Sequence, residues 1–292
     1  PALPIALLLA LRPKQWMKNL LLFAALLFSE RLTDPNAVAL SAAAFAIFVA
    51  LSGTGYLVND VMDVERDRGH PRKSGRPVAA GWVTPGAAVA LAVALSIMAM
   101  AGAIAVNAEF AVVSAGYLVL TLGYSMWLKH VFLVDVILLS GLYVVRAAAG
   151  AYAIQVIISP WLLLCTILLA LFLGLAKRRQ ELITLGDGAQ AHRAALAHYS
   201  VPLLDQLISL VSSAVLIAYA LYTFFSEHGR KNTVLVLTFP LVVYGLFRYL
   251  YLAYQRGGGE SPEDVILRDP PLLACIVLWG LAVAVILYWP GS

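Results

Sequence analysis

Charge is scarce in this chain. Asp, Glu, Lys and Arg make up 12% of its 292 residues, while 62% are hydrophobic. A soluble domain of this length is nearer half apolar, so a soluble fold is excluded. Cysteine is scarcer still. Cys165 and Cys275 both fall inside apolar segments, which excludes a disulfide framework and makes them small buried hydrophobes. No zinc-type His/Cys spacing exists. A cleavable leader is not expected either, because Arg12, Lys14 and Lys18 follow a short apolar run with no small-residue cleavage site.

What the chain has instead is a recurrence of long apolar stretches. Each is about 18 or more residues long, which is the signature of transmembrane helices. They are continuously apolar rather than alternating, so helices are expected and not a β-barrel. Nine spans are read: 19–33, 37–58, 85–106, 110–128, 132–154, 160–176, 203–226, 232–254 and 271–289. The expectation is an all-α integral membrane protein forming one domain over 1–292.

The few charges are sorted by side. With the N-terminus inside, 16 of the 20 Lys and Arg residues fall in or beside the segments 1–18, 59–84, 129–131, 177–202 and 255–270. Only Arg31, Arg230 and Lys231 fall on the other side, and Arg146 lies within a span. This bias predicts a cytoplasmic N-terminus in a cell membrane. It also accounts for the basic pI without a nucleic-acid partner. Residues 59–84, 177–202 and 255–270 are the long loops, so function is expected there, on the cytoplasmic face. The pattern over 177–202 allows a short amphipathic helix on the membrane.

The densest charge runs from Asn59 to Arg76. It holds four carboxylates (Asp60, Asp63, Glu65, Asp67) and five bases (Arg66, Arg68, Arg72, Lys73, Arg76). If the second span continues past residue 58, Asn59, Asp63 and Asp67 recur at i, i+4, i+8, with Asp60 three before Asp63. Side chains at that spacing are neighbours on a helix. Carboxylates so close repel unless a cation lies between them, and oxygen-only ligands suit Mg²⁺ shared with a phosphate. Arg72, Lys73 and Arg76 follow on a segment broken by Gly69, Pro71, Gly75 and Pro77, placed to bind the same phosphates. A plain topology-setting loop would need the bases but not acids on one face.

These residues carry a resemblance. Asn59-Asp60-x-x-Asp63-x-x-x-Asp67, followed by His70-Pro71-x-Lys73-x-x-Arg76-Pro77, resembles the first aspartate-rich motif of the UbiA prenyltransferase superfamily. Tyr124-Ser125-Met126-Trp127-Leu128-Lys129 is similar to its Tyr…Lys segment. The resemblance implies a UbiA-type bundle around a central cavity open to the cytoplasm. The second Asp-x-x-x-Asp motif of typical members is replaced here by Lys177-Arg178-Arg179-Gln180-Glu181. That departure resembles the decaprenyl-phosphate phosphoribosyltransferases. So do Leu11-Arg12-Pro13-Lys14-Gln15-Trp16-x-Lys18-Asn19 and Ser261-Pro262-Glu263-Asp264-x-x-x-Arg268-Asp269-x-Pro271-Leu272.

The resemblance implies Mg²⁺-dependent transfer of 5-phosphoribose from phosphoribosyl diphosphate (PRPP) to decaprenyl or another polyprenyl phosphate. The lipid product would serve cell-wall arabinan synthesis. Asp60, Asp63 and Asp67 are then the catalytic and metal-holding residues, with Mg²⁺ acting as a Lewis acid on the departing diphosphate. Asn59, His70, Lys73, Arg76, Tyr124, Lys129, Lys177, Arg178 and Glu181 are substrate-binding candidates. Arg12, Gln15, Lys18 and Asn19 suit the acceptor phosphate or the donor 5-phosphate. No general base is needed, because the acceptor phosphate is already ionised. Arg146, mid-span, is a further substrate-binding candidate, expected to face a cavity or an acid and, with Asp135 on the same helix, to line the central cavity. Lys14, Lys18 and Arg179 read equally as interfacial anchors, and Trp16 as an aromatic-belt residue. The bilayer and the two substrates are the expected partners, and a homo-oligomer is allowed. The rival readings are an aromatic prenyltransferase using a prenyl diphosphate and, in a different class, a transporter. A transporter would put its charges near the midplane and usually show inverted repeats.

Overall fold

The computed structural model describes residues 2–69, 73–185, 194–255 and 262–288. His70, Pro71, Arg72, Asp187, Arg193, Arg256 and Ser261 lie outside the described residues. Every long element is a helix, and among the described residues there is no strand. In chain order they are α1 (Leu3–Ala10), a 3₁₀ segment (Pro13–Phe23), α2 (Ala24–Phe28), α3 (Pro35–Met62), α4 (Val64–Arg68), α5 (Pro85–Val106), α6 (Ala108–Met126), α7 (Val134–Ala153), α8 (Pro160–Leu185), α9 (Val201–Phe225), α10 (Glu227–Lys231), α11 (Phe239–Gln255), α12 (Pro262–Arg268) and α13 (Pro270–Tyr288).

Helix starts follow the local chemistry. Asp34 accepts from the Asn36 and Ala37 amides ahead of α3, where Pro35 fills the first turn. Thr84 caps α5 through the Ala87 amide, Asn107 caps α6 through the Phe110 amide, and Ser200 caps α9 through the Leu203 amide. Each cap satisfies donors that a helix start leaves open.

Packing is that of a lipid-solvated protein. Helix α5 buries Ala88, Ala92, Ala99 and Ala103, and exposes Val93, Ile97, Met98 and Ile104. Small residues inward and large apolar residues outward let helix backbones approach while the outer face meets acyl chains. Within α3, Gly55 makes the same allowance: a Cβ there would stand 2.3 Å from the Thr121 methyl of α6.

Among the described residues, eight helices are long and apolar enough to cross a membrane: Pro35–Met62, Pro85–Val106, Ala108–Met126, Val134–Ala153, Pro160–Thr184, Val201–Phe225, Thr233–Gln255 and Pro270–Tyr288. The expected first span at 19–33 is not among them. It is split into the 3₁₀ segment, the five-residue α2 and a turn, and Ser29-Glu30-Arg31 ends its apolar run. The span expected to end at 176 runs on to Leu185, so Lys177, Arg178 and Glu181 sit on helix rather than on a loop.

By internal contacts the chain divides into two compact units. One comprises Pro1–Leu26, Arg31–Leu138 and Leu142–Ile157; the other comprises Leu27–Glu30, Leu139–Gly141 and Ile158–Ser292. The first is built around Leu22, Phe48, Leu51, Phe110, Tyr117 and Leu142, with buried alanines between them. A core of the second gathers Tyr219, Tyr222, Leu235 and Val283.

Candidate active site

The acidic motif of the first unit straddles a helix end. Helix α3 stops at Met62, and Asp63 leaves helical geometry with ψ near 8° before α4 begins. The i, i+4 spacing survives this break. The Asp63 amide donates to the Asn59 carbonyl at 3.0 Å and the Asp67 amide to the Asp63 carbonyl at 2.8 Å. The predicted continuation past residue 58 therefore holds.

Three acids meet three bases drawn from three other segments. Asp60 is 1% exposed. Its Oδ1 accepts from Arg12, and from Arg76 Nη1 at 3.1 Å. The same Arg76 Nη1 donates to Asp67 Oδ2 at 2.7 Å, so one guanidinium bridges two carboxylates. Lys129, buried at 3% exposure, donates to both Asp63 oxygens at 2.9 and 2.7 Å and to Asn59 Oδ1 at 3.0 Å. The Arg12 guanidinium also lies over the Tyr56 ring, 4.9 Å from its centre. Burial first, and the nearby Arg12 charge second, hold Arg76 below the usual arginine pKa, while Asp60 and Asp67 pull it the other way.

Could this group hold a divalent cation? The donors are carboxylate and amide oxygens, the set a hard cation takes. Asp60 Oδ2 is buried with no hydrogen-bond partner among the described residues. Such an oxygen in a dry setting is costly unless something positive reaches it. The residues fit a cation, although among the described residues no three such side chains are already gathered as a metal group. The carboxylates are turned to the bases instead.

A second polar group lies deeper in the same unit. Arg146 Nε donates to Asn19 Oδ1 at 2.8 Å, Nη2 to Tyr117 Oη at 2.5 Å and to Ser52 Oγ at 3.5 Å, and Nη1 to the Leu142 carbonyl at 3.2 Å. Its guanidinium also stacks over the Tyr117 and Tyr143 rings. Its partners are thus neutral oxygens and aromatic faces. Asn19 is 1% exposed and tied to this network, away from Arg12 and its acid. Gln15, Lys18, Lys73 and Tyr124 are partly exposed. His70 lies outside the described residues.

The second unit carries the replaced motif on α8. Arg178, 1% exposed, donates to Glu181 at 2.6 Å, one turn away. Lys177 is partly exposed. Arg179, read equally as an interfacial anchor, donates to Asp205 at 2.6 Å and lies 3.9 Å from the centre of the Tyr254 ring, whose hydroxyl also donates to Asp205. Asp269 takes a two-point bond from Arg248 at 3.1 and 2.8 Å and caps α13 through the Leu272 amide. Sequence reasoning missed Ser52, Tyr56, Tyr117, Asp205 and Tyr254. An isolated Tyr or Ser in a span carries no signal until its partner is known.

An all-helical polytopic fold with an acidic motif at a helix end, matched by bases, defines a class. The profile of the UbiA prenyltransferase family matches residues 19–263, and the chain belongs to that family. It is a membrane transferase. Among solved structures, a UbiA homolog from Archaeoglobus fulgidus bound to GPP and Mg²⁺ superposes with a TM-score of 0.74. At 19% identity it covers 96% of this chain and 99% of that one. Among curated relatives, the decaprenyl-phosphate phosphoribosyltransferase of Mycobacterium tuberculosis (strain CDC 1551 / Oshkosh) is 34% identical over 94% of this chain and 93% of its own length. The enzyme of the same name from Corynebacterium glutamicum is 32% identical over 96% and 86%.

Proposed function

We propose that this chain transfers 5-phosphoribose from PRPP to a polyprenyl phosphate, with Mg²⁺, giving a polyprenylphosphoryl-5-phosphoribose and diphosphate. Decaprenyl phosphate is the acceptor that the relatives' names suggest, and the product would feed cell-wall arabinan synthesis. The observation that carries the reading is the 34% identity, spanning 94% of the chain, to an enzyme of that name. The basic run Lys177-Arg178-Arg179 supports it, because a donor and an acceptor that both bring phosphate need more positive charge than a prenyl diphosphate alone. The positive-inside bias supports an N-terminus and reacting groups on the cytoplasmic side of the cell membrane, where a soluble donor arrives.

In this reading the paired site is a charge exchange in waiting. Arg12 and Arg76 pair with Asp60, Arg76 also with Asp67, and Lys129 with Asp63, which has Arg66 nearby at 3.6 Å. When the donor enters, these bases turn from carboxylate to phosphate. Asp60, Asp63 and Asp67 would then be free to hold Mg²⁺, which would supply Lewis-acid stabilisation of the leaving diphosphate. His70, Lys73, Lys177 and Arg178 add phosphate contacts. Gln15 and Lys18 suit either phosphorylated substrate. The C1–O bond to diphosphate breaks, and an oxygen of the acceptor phosphate bonds to C1 from the opposite face. The oxocarbenium character that develops at C1 is that of other glycosyl transfers.

The test uses purified full-length protein with labelled PRPP, polyprenyl phosphate and Mg²⁺. A labelled lipid is expected. No labelled lipid, together with turnover of a prenyl diphosphate and an aromatic acid, overturns the reading in favour of an aromatic prenyltransferase.

A further inference from the structure

The 3₁₀ segment Pro13–Phe23 is 11 residues long, whereas such helices seldom exceed three or four residues and longer ones often mark strain or function. Side chains three apart eclipse in this geometry, so Asn19 and Leu22 share one face. Both meet α7. Asn19 Oδ1 accepts from Arg146 at 2.8 Å. One turn further along α7, the Leu22 backbone lies against Gly150, where a Cβ would stand 2.1 Å from the Leu22 carbonyl oxygen. Arg146 and Gly150 are four apart and so share a face of α7. Two contacts a turn apart fix a rod in both translation and rotation.

The other end of the segment carries Arg12. Its backbone is left-handed, with φ 53°, a conformation that strains a non-glycine residue and persists only where the surroundings impose it. The Trp16 indole donates back to the Leu11 carbonyl at 3.1 Å, tightening the same corner. From there Arg12 reaches the buried Asp60. At about 2 Å of rise per residue, Arg12 lies about 14 Å along the segment from Asn19.

We infer that Asn19, Arg146 and Gly150 are positioning residues, which clamp the 13–23 segment onto α7 and thereby set the reach of Arg12 to Asp60. The clamp explains a buried arginine whose partners are a side-chain amide, two hydroxyls and a carbonyl. Its task is to hold Asn19. It also explains why a glycine stands where Leu22 backbone crosses the helix. Consequences for turnover rest on the phosphoribosyl-transfer reading; the clamp itself does not.

Two readouts separate these parts. The first is amide hydrogen exchange of residues 12–23 in the full-length protein. Gly150→Ala and Asn19→Leu each speed it about tenfold or more, because local opening tracks lost packing, while α9 is unchanged. Asn19→Asp keeps an acceptor for Arg146 and exchanges like the wild type. The second readout is kinetic. Arg12→Ala raises the KM of one phosphorylated substrate. Gly150→Ala raises the KM of that same substrate by about tenfold to a hundredfold, the scale of a misplacement of about 1 Å. In the Arg12→Ala background Gly150→Ala adds nothing further, the mark of two residues acting as one unit. Unchanged exchange over 12–23 in both clamp variants overturns the clamp. Effects that multiply in the double variant overturn the route through Arg12. A wild-type protein that transfers nothing from PRPP sinks the proposed function, and the exchange result still decides the clamp.

Discussion

The helix end at Asn59–Asp67 and the helix stretch at Lys177–Glu181 are both rich in charge, yet their main ion pairs are built differently. At the first, the three aspartates are answered from further along the chain: Arg12 is 48 residues from Asp60, Arg76 is 16 from Asp60 and 9 from Asp67, and Lys129 is 66 from Asp63, while Arg66 and Arg68 add local pairs to Asp63 and Glu65. At the second, Arg178 meets Glu181 within one helical turn, while Arg179 reaches Asp205, 26 residues on. A local pair forms wherever the helix forms. A long-range set forms only when the tertiary structure is complete, and loosening one of its segments disturbs the rest. The aspartate cluster of the first region therefore depends on more of the chain than the Arg178–Glu181 pair does.

That contrast can be broken at four points. Asp63→Asn should have the largest effect, lowering labelled-lipid formation by about a hundredfold or more, as expected when a group that stabilises developing charge is lost. Normal turnover would remove Asp63 from the reacting group. Arg76→Met takes away the guanidinium shared by Asp60 and Asp67 and should lower stability by about 2–3 kcal/mol. Added Mg²⁺ should raise the thermal midpoint of this variant more than that of the wild type, since the cation replaces the missing base; equal shifts would sink the exchange picture. Glu181→Gln removes a charge facing a buried arginine at 2.6 Å and should cost about 2 kcal/mol in detergent unfolding. Hydrogen exchange should rise along α8 around Arg178, and unchanged exchange there would remove the pair from the account of α8. Smallest is Tyr254→Phe. Asp205 keeps Arg179, the site is partly exposed, and the unfolding free energy should fall by no more than about 0.5 kcal/mol.

Much of this was legible in the residues. The apolar runs located the spans, and the Asn59, Asp63, Asp67 spacing was carried by the backbone bonds that join them. Legibility ended where a partner had to come from elsewhere. Nothing near Asp60 announces Arg12, and nothing near Arg146 announces Asn19, because periodicity describes one helix at a time. Arg146 was expected to need a cavity or an acid. Its partners are neutral oxygens and two tyrosine rings, which is a matter of tertiary geometry. The 19–33 span failed for a related reason: Lys14, Gln15, Lys18 and Asn19 precede a short apolar run, and sequence does not distinguish a 3₁₀ from an α start. Pairs such as Arg179 with Asp205 were equally silent.

The 3₁₀ segment has one more consequence, and it concerns length. Rewinding 11 residues from a rise of about 2.0 Å to about 1.5 Å per residue would shorten them by about 5 Å. With Asn19 and Leu22 held on α7, a shortening between Pro13 and Asn19 would be felt at Arg12 and so in its reach to Asp60.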